Sequence, residues 1–346
     1  MFHRLLTSIT HRVLELPILV LMPHSSCNCR CVMCDIWKAN QQKRELSSED
    51  LKSHLKSFKK LKVKRVALSG GEALLHSNIW KLCEMLRSIG IKISLLSTGL
   101  TLKQHVKDIT QYIDDVIVSI DGSPSIHNQI RNIPAAFEKL QLGIEAIKKT
   151  DRNFKVTGRC VLQKLNHHDF LNIIEASKSL QLDQISFLPA DVSSDAFNRP
   201  NGWEDQRVSG IVLTSDEIEV LEKLVAQSFD KYAAEYKAGF IAESPKKMRA
   251  MVDYYKAILG KNPFPSKKCN APWVSAVVEP DGEVKPCFFH PSYGNINDQN
   301  MADLINGPKA MAFRKRLNVN KDPTCVRCVC SLHVSVRQST FLFYKK

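Results

Sequence analysis

Residues 27–34 read CNCRCVMC: four cysteines in eight positions, directly after the apolar run PILVLM at 17–22. Three kinds of chemistry concentrate thiols in this way, namely disulfides, a zinc site and an iron–sulfur cluster. The elements that surround the stretch narrow the choice.

Downstream, short β-rich runs alternate with helical periodicity from Pro17 to about Asp191. In LSSEDLKSHLKSFKKL, Leu51, Leu55 and Phe58 share a helical face, and Ser47 with Asp50 has capping-box spacing. The strand VKRVALSGG follows, then a helix with Ile79, Leu82, Cys83 and Leu86 at i, i+3, i+4 and i+7, ended by Gly90. Next come strand IKISLLST, a helix near TLKQHVKDITQY, strand DVIVSID and a helix with Phe137, Leu140, Ile144 and Ile147 on one face. Strand FKVTGRCVLQ, a helix from about His168 to Leu180 and strand DQISFLPA complete the series. Six βα-type repeats with near-continuous apolar strands predict a buried parallel sheet. Right-handed crossovers leave an open doubly wound sheet or a barrel. In either, chemistry belongs at the C-terminal ends of the strands. The unusual residues fall there: the cysteines after strand one, SGGEAL after strand two, STG after strand three and SIDG ending strand four.

Residues 192–268 break this rhythm, polar at first and then helical around SDEIEVLEKLVAQSF and KKMRAMVDYYKAIL. Thiols return at Cys269, Cys287, Cys325, Cys328 and Cys330, which marks a second, smaller domain. The expected organisation is a lead-in over 1–16, a core over 17–191, a helical connector over 192–268 and a C-terminal domain over 269–346.

Composition restricts the setting. The 346 residues are 44% hydrophobic and 24% charged, ordinary for a folded soluble protein. No apolar run is long enough to span a bilayer, so no membrane partner is expected. The N-terminal apolar stretches are broken by His11, Arg12, Glu15 and Pro17, which argues against a signal peptide and for the cytoplasm. Eleven cysteines in a reducing compartment favour metal or redox chemistry over a disulfide framework. The excess of 49 basic over 35 acidic residues suits a nucleic-acid binder or a protein that docks an acidic electron carrier. The lysines are scattered without interleaved aromatics, so a solvated basic surface is expected and nucleic acid is not.

Cys27, Cys31 and Cys34 form a C-x3-C-x2-C set. Three ligands cannot close a four-thiolate zinc shell, and Cys29, two residues from two of them, makes a strained fourth. A 4Fe–4S cluster on three thiolates keeps one iron open for a substrate.

Taken in order, CNCRCVMCDIW at 27–37, SGGEALL at 69–75, STG at 97–99 and SIDGSPSIHNQIR at 119–131 resemble the radical S-adenosylmethionine (radical SAM) enzymes. The resemblance covers roughly residues 17–191 and implies a partial (β/α)6 barrel of TIM type. It implies a 4Fe–4S cluster on Cys27, Cys31 and Cys34 whose open iron binds the methionine moiety of S-adenosylmethionine. An electron, from a flavodoxin- or ferredoxin-type donor, then yields methionine and a 5′-deoxyadenosyl radical that abstracts hydrogen from substrate. Gly70 and Gly71 let backbone groups approach a ligand, and Glu72 can accept hydrogen bonds from an ammonium. By resemblance this segment holds the methionine amino group. Ser119 and Asp121 alternate onto one face where family members contact the cofactor, and Arg131 matches a family arginine, a carboxylate partner or a surface ion pair. His76 and His127 read as loop histidines, and Cys83 and Cys160 as core.

The later cysteines also have a pattern. SAVVEPDGEVKPC reads as strand–turn–strand around Pro-Asp-Gly, with Gly282 and Cys287 in a G-x4-C. Cys269, Cys287, Cys325 and Cys328 supply four thiolates, with Cys330 as a rival for Cys328 and structural zinc as a rival metal. This resembles the auxiliary-cluster extension called SPASM, or its shortened form, twitch, and implies a second 4Fe–4S auxiliary cluster. Only Cys330 follows the C-x2-C, at the wrong spacing for full SPASM, so the twitch form with one auxiliary cluster is expected, capping the mouth of the barrel.

The implied activity is radical chemistry on a small polar molecule, such as a sugar, aminocyclitol or nucleotide. Modification of a peptide or protein is the alternative; the twenty-six residues before Cys27 leave no room for a leader-peptide-binding domain. Phe288 stands where sulfatase-maturing relatives carry an aspartate, so no catalytic acid or base is assigned. A non-catalytic iron–sulfur or zinc protein binding nucleic acid is the alternative class, and it has no use for SGGEALL.

Overall fold

The apolar runs of the first part of the chain form six parallel strands: β1 (Ile18–Leu21), β2 (Arg65–Leu68), β3 (Lys92–Ser97), β4 (Asp115–Ser119), β5 (Lys155–Leu162) and β6 (Gln184–Pro189). They pair in sequence order, and β6 does not pair with β1, so the barrel is partial and stays open on one side. The coordinates are a computed structural model that describes residues 6, 7 and 9–335. The outermost parts of the expected lead-in and C-terminal domain, at 1–5, 8 and 336–346, lie outside the described residues.

Helices cover the strands with the faces that periodicity marks. They are α1 (Ser48–Lys60), α2 (Ile79–Ser88), α3 (Val106–Tyr112), α4 (Pro124–Arg131), α5 (Ala136–Thr150) and α6 (Phe170–Ser179). Ser47 and Asp50 form the reciprocal capping box at the start of α1. Helix α2 buries Ile79, Leu82, Cys83 and Leu86, and α5 buries Phe137, Leu140, Ile144 and Ile147. The segment TLKQHVKDITQY is a 3-10 turn (Leu102–His105) running into α3. Helix α4 has no counterpart in the periodicity reading. Ser123 at its N-cap and Pro124 at its first turn start it, and Asn132 at φ 53° ends it.

The connector is part of the barrel wall. Its helices are α7 (Asp205–Ser209), α8 (Ser215–Lys231), α9 (Ala233–Ala238) and α10 (Pro245–Ile258). Ile185 donates its N–H to Phe240 O at 2.7 Å and accepts from Ala242 N–H at 2.9 Å, so the chain before α10 covers the free edge of β6. Tyr255 on α10 places its hydroxyl between Ala190 N–H (2.9 Å) and Leu162 O.

The hairpin expected in SAVVEPDGEVKPC is present as β7 (Ser275–Val278) and β8 (Glu283–Lys285), with Gly282 at φ +89° in its turn. Strand β7 also adds in parallel to β1, Ile18 against Ser275 through Leu21 against Val278. With β9 (Gly294–Asn295) this makes one nine-stranded sheet, in the order β6-β5-β4-β3-β2-β1-β7-β8-β9. The C-terminal unit is therefore fused to the core through β1, because the wholly buried SAVV strand needs a partner edge and β1 offers one. At the opposite end of the strands from the cysteines, Arg65 Nη1 and Asp115 Oδ2 pair at 2.5 Å, both nearly inaccessible. Among the described residues no helix is long and apolar enough to cross a membrane.

Candidate functional site

The loop after β1 carries Cys27, Cys29, Cys31 and Cys34, and several polar contacts shape it. Asn40 clamps the Cys27 peptide, its Nδ2 donating to Cys27 O and its Oδ1 accepting from Cys27 N–H, both at 2.9 Å. Cys29 N–H points at Cys27 Sγ, 3.4 Å away. Arg30 and Val32 donate N–H to the carbonyls of Arg131 (3.2 Å) and Ile130 (3.1 Å), tying the loop to the end of α4.

The glycines of SGGEALL serve this loop. A Cβ on Gly71 would lie 2.1 Å from Ser26 O, and Gly70 sits at φ +113° with room for none against His24 O. Their Cβ side packs against the backbone of 24–27. Glu72 also has protein partners. Its carboxylate is fully buried and accepts from Leu74 N–H (3.2 Å), Ser97 Oγ (3.0 Å), Thr98 N–H (2.7 Å) and Thr98 Oγ1 (2.7 Å). Three of these contacts converge on Oε2 and one on Oε1. Thr98 also reaches Asn28 Oδ1 at 2.9 Å, so STG and SGGEALL brace the cysteine loop together.

Asp121 and Arg131 pair with each other, both buried. Asp121 Oδ1 accepts from Val161 N–H at 2.9 Å, and Arg131 Nη1 lies 3.5 Å from Cys31 Sγ. These two residues thus lie inside the fold, Arg131 beside the Cys31 thiol, and each supplies the other's partner. His127 is no loop histidine: it is fully buried on α4, and its Nδ1 accepts the Asp121 N–H at 3.1 Å. His76 does brace a loop, through Leu46 O at 2.9 Å. Ser119, half-buried at the C-terminal end of β4, is the remaining member of the set and makes no side-chain hydrogen bond among the described residues. Cys83 and Cys160 are core.

The donor set fits an iron–sulfur cluster. The Cys29 thiol and the Arg131 charge bring Cys31 down to about 6 against the burial that raises it. Burial and the neighbouring Cys31 push Cys34 up to about 12. Thiols that share one loop with an N–H and a guanidinium aimed at sulfur are what an anionic cluster needs around it.

Cys269, Cys287, Cys325, Cys328 and Cys330 all line one cavity of about 470 Å³. Val20 of β1, Ala67 of β2, Leu96 of β3, Ile117 of β4, Arg159 of β5 and Ser186 of β6 share its wall, so these cysteines open onto the lumen of the barrel. His290 Nε2 approaches Cys325 Sγ at 3.2 Å. Burial pushes Cys287 and Cys325 up to about 12. A thiol-rich donor set of this kind fits a second cluster. A wider cleft of about 610 Å³ opens beside it, and Phe288 lines both.

Three contributors carried no sequence signal. Asn40 is one. Asp35 is another: its buried carboxylate accepts from Trp203 Nε1 (2.8 Å) and Arg207 Nη1 (2.9 Å), docking the 198–207 segment on the cysteine loop. Arg159 of β5, which lines the lumen cavity, is the third.

Comparison with known proteins agrees with this geometry. The model of the radical SAM superfamily matches residues 21–176, and that of an iron–sulfur cluster-binding domain, SPASM, matches 269–329. A probable GTP 3′,8-cyclase of Methanothermobacter marburgensis is 24% identical over 76% of this chain and 81% of its own. A GTP 3′,8-cyclase of Staphylococcus epidermidis is 30% identical over 53% of this chain; the match spans 55% of that relative, about half its length. Streptococcus suis SuiB bound to precursor peptide SuiA superimposes with a TM-score of 0.64 at 14% identity, covering 95% of this chain and 74% of SuiB.

Proposed function

Because the chain belongs to the radical SAM superfamily and carries an iron–sulfur cluster-binding SPASM domain, we propose that it abstracts hydrogen from a small polar molecule bound in the barrel lumen. When bound, the first cluster and S-adenosylmethionine supply the 5′-deoxyadenosyl radical. Cys27, Cys31 and Cys34 hold that cluster, with Arg131 beside Cys31 as a fixed positive charge. Ser119, whose hydroxyl has no hydrogen-bond partner among the described residues, contacts the cofactor at the end of β4, while Gly70, Gly71 and Glu72 keep the neighbouring turn in place. Cys269, Cys287, Cys325 and Cys328 hold the auxiliary cluster, and a flavodoxin- or ferredoxin-type protein supplies the electron.

The observation that carries the substrate size is the lumen cavity of about 470 Å³, which the auxiliary site shares. Pockets for small ligands span roughly 300–1,000 Å³. The relatives named for GTP act on a molecule of that scale. The wider cleft of about 610 Å³ favours a second reading, in which a peptide lies across Phe288 and presents one side chain to the lumen.

The test is anaerobic. Reduced, reconstituted enzyme with S-adenosylmethionine is offered the low-molecular-mass and the peptide fractions of a cell extract, and 5′-deoxyadenosine is measured. Stimulation by the low-molecular-mass fraction supports the reading; stimulation by peptides alone replaces it with the second.

A further inference from the structure

We propose that the lumen substrate carries an anionic group, a carboxylate or a phosphate, and that Arg159 on β5 receives it. This rests on reading the lumen as the substrate site and adds the chemical class.

Arg159 stands in the middle of β5, half-buried, on the cavity wall with Ile18, Val20, Leu96 and Ile117. Its Nε donates to Ser186 Oγ at 3.4 Å, and it forms no ion pair among the described residues. A guanidinium keeps its charge at any accessible pH and offers five donors in a fork that matches two oxygens of one carboxylate or phosphate. Setting such a group against apolar strand residues without a counter-charge is unfavourable. The other cations of the cavity are provided for. Lys247 pairs with Glu243 at 3.2 Å, and Lys267 donates to Val326 O at 2.8 Å.

The auxiliary cluster is the alternative counter-charge, since Cys330 lines the same cavity as Arg159; the reduction potential of an Arg159 variant separates the two roles. An anion on Arg159 is held on the β5 side of the cavity, with the rest of a small molecule free to extend towards the cofactor end of the strands.

The experiment uses the full chain, reconstituted anaerobically, titrated by calorimetry with inorganic phosphate, malonate and neutral myo-inositol. Phosphate or malonate should bind at one site and myo-inositol should not; whichever anion binds identifies the group. Arg159→Gln should weaken that binding about tenfold or more, the usual range for a charge-assisted hydrogen bond. Iron content checks the fold of the variant. Arg159→Lys, which keeps the charge and loses the fork, serves if the glutamine variant fails to load iron, and it too should bind more weakly. The proposal falls if neither anion binds, or if the variants bind as wild type does. It also falls if Arg159→Gln shifts the auxiliary reduction potential while anion binding is unchanged, since the arginine would then serve the metal. Cleavage of S-adenosylmethionine by the wild type is measured separately: cleavage without anion binding refutes only the anionic class, and absent cleavage refutes the enzyme reading.

Discussion

Replacing Glu72 with alanine would remove an acceptor that four protein donors share in a site closed to water. The Thr98 hydroxyl can turn to Asn28 Oδ1, which it already meets at 2.9 Å. The Leu74 and Thr98 amides cannot turn, and each buried N–H left without a partner costs about 1–3 kcal/mol. Glu72→Ala should therefore cost about 2–6 kcal/mol, a large share of the roughly 5–15 kcal/mol typical of a folded protein. Glu72→Gln keeps an acceptor oxygen and loses the charge. Charge-assisted hydrogen bonds are about twice as strong as neutral ones, so it should cost about 1–3 kcal/mol. Urea unfolding of the cluster-free protein reads both, as a shifted midpoint at constant slope. A second readout follows from the position of Glu72 under the cysteine loop. Below the unfolding transition, Glu72→Ala should load wild-type iron yet bind S-adenosylmethionine more weakly, because the turn at 69–72 and Thr98 lose their common anchor. An alanine variant with the wild-type midpoint and wild-type cofactor affinity would refute the reasoning: the carboxylate would then brace nothing.

Replacing Cys27, Cys31 and Cys34 together with alanine should leave one cluster, halving iron and sulfide after reconstitution; full iron content would overturn the two-site assignment. In Cys325→Ala/Cys328→Ala protein that keeps the first cluster, 5′-deoxyadenosine formation without product should persist while product formation collapses, and unchanged product yield would make the second site dispensable. Asp115→Ala, which leaves the buried Arg65 unpaired, should cost about 3–5 kcal/mol in urea unfolding, whereas Arg65→Met/Asp115→Leu should cost far less. Burial pushes the Glu45 carboxyl up, but Lys43 and Ser77 outweigh it and hold it down to about 2. A depressed carboxylate stabilises the fold fully above its unfolded value of 4.5 and loses that contribution as pH falls towards about 2. Wild type and Glu45→Gln should thus differ most in stability above pH 4.5 and converge in stronger acid, and a pH-independent difference would contradict this.

The parts of the fold that could be read in advance are those governed by neighbours in sequence. The faces of α2 and α5 follow from a 3.6-residue period, the box at Ser47 from a spacing of three, and the β7–β8 hairpin from Pro-Asp-Gly. Helix α4 is short, and its buried face of His127, Ile130 and Arg131 carries two polar residues, so an apolar period does not mark it. The partners that periodicity cannot supply are distant ones. Nothing in SAVV specifies that its edge meets Ile18–Leu21, and nothing in Asp35 names Trp203 and Arg207. At the site, residue type brought together residues that the fold does place near one another, while their protein partners were not legible. Carboxylates and glycines near a cofactor suggest ligand contacts, yet Glu72, Gly70 and Gly71 meet protein here, and Asp121 meets Arg131. Local sequence carries no record of which polar group has already been claimed by a backbone amide.

The position of β1 between β2 and β7 has a consequence for taking the protein apart. The four residues Ile18–Leu21 bond on both sides, so a fragment ending near residue 268 would present ILVL as a bare apolar edge. Such an edge recruits other chains, and the fragment should precipitate or pair with itself. Supplying 269–346 as a separate polypeptide should rescue it, since β7 would dock on the same edge without a covalent link.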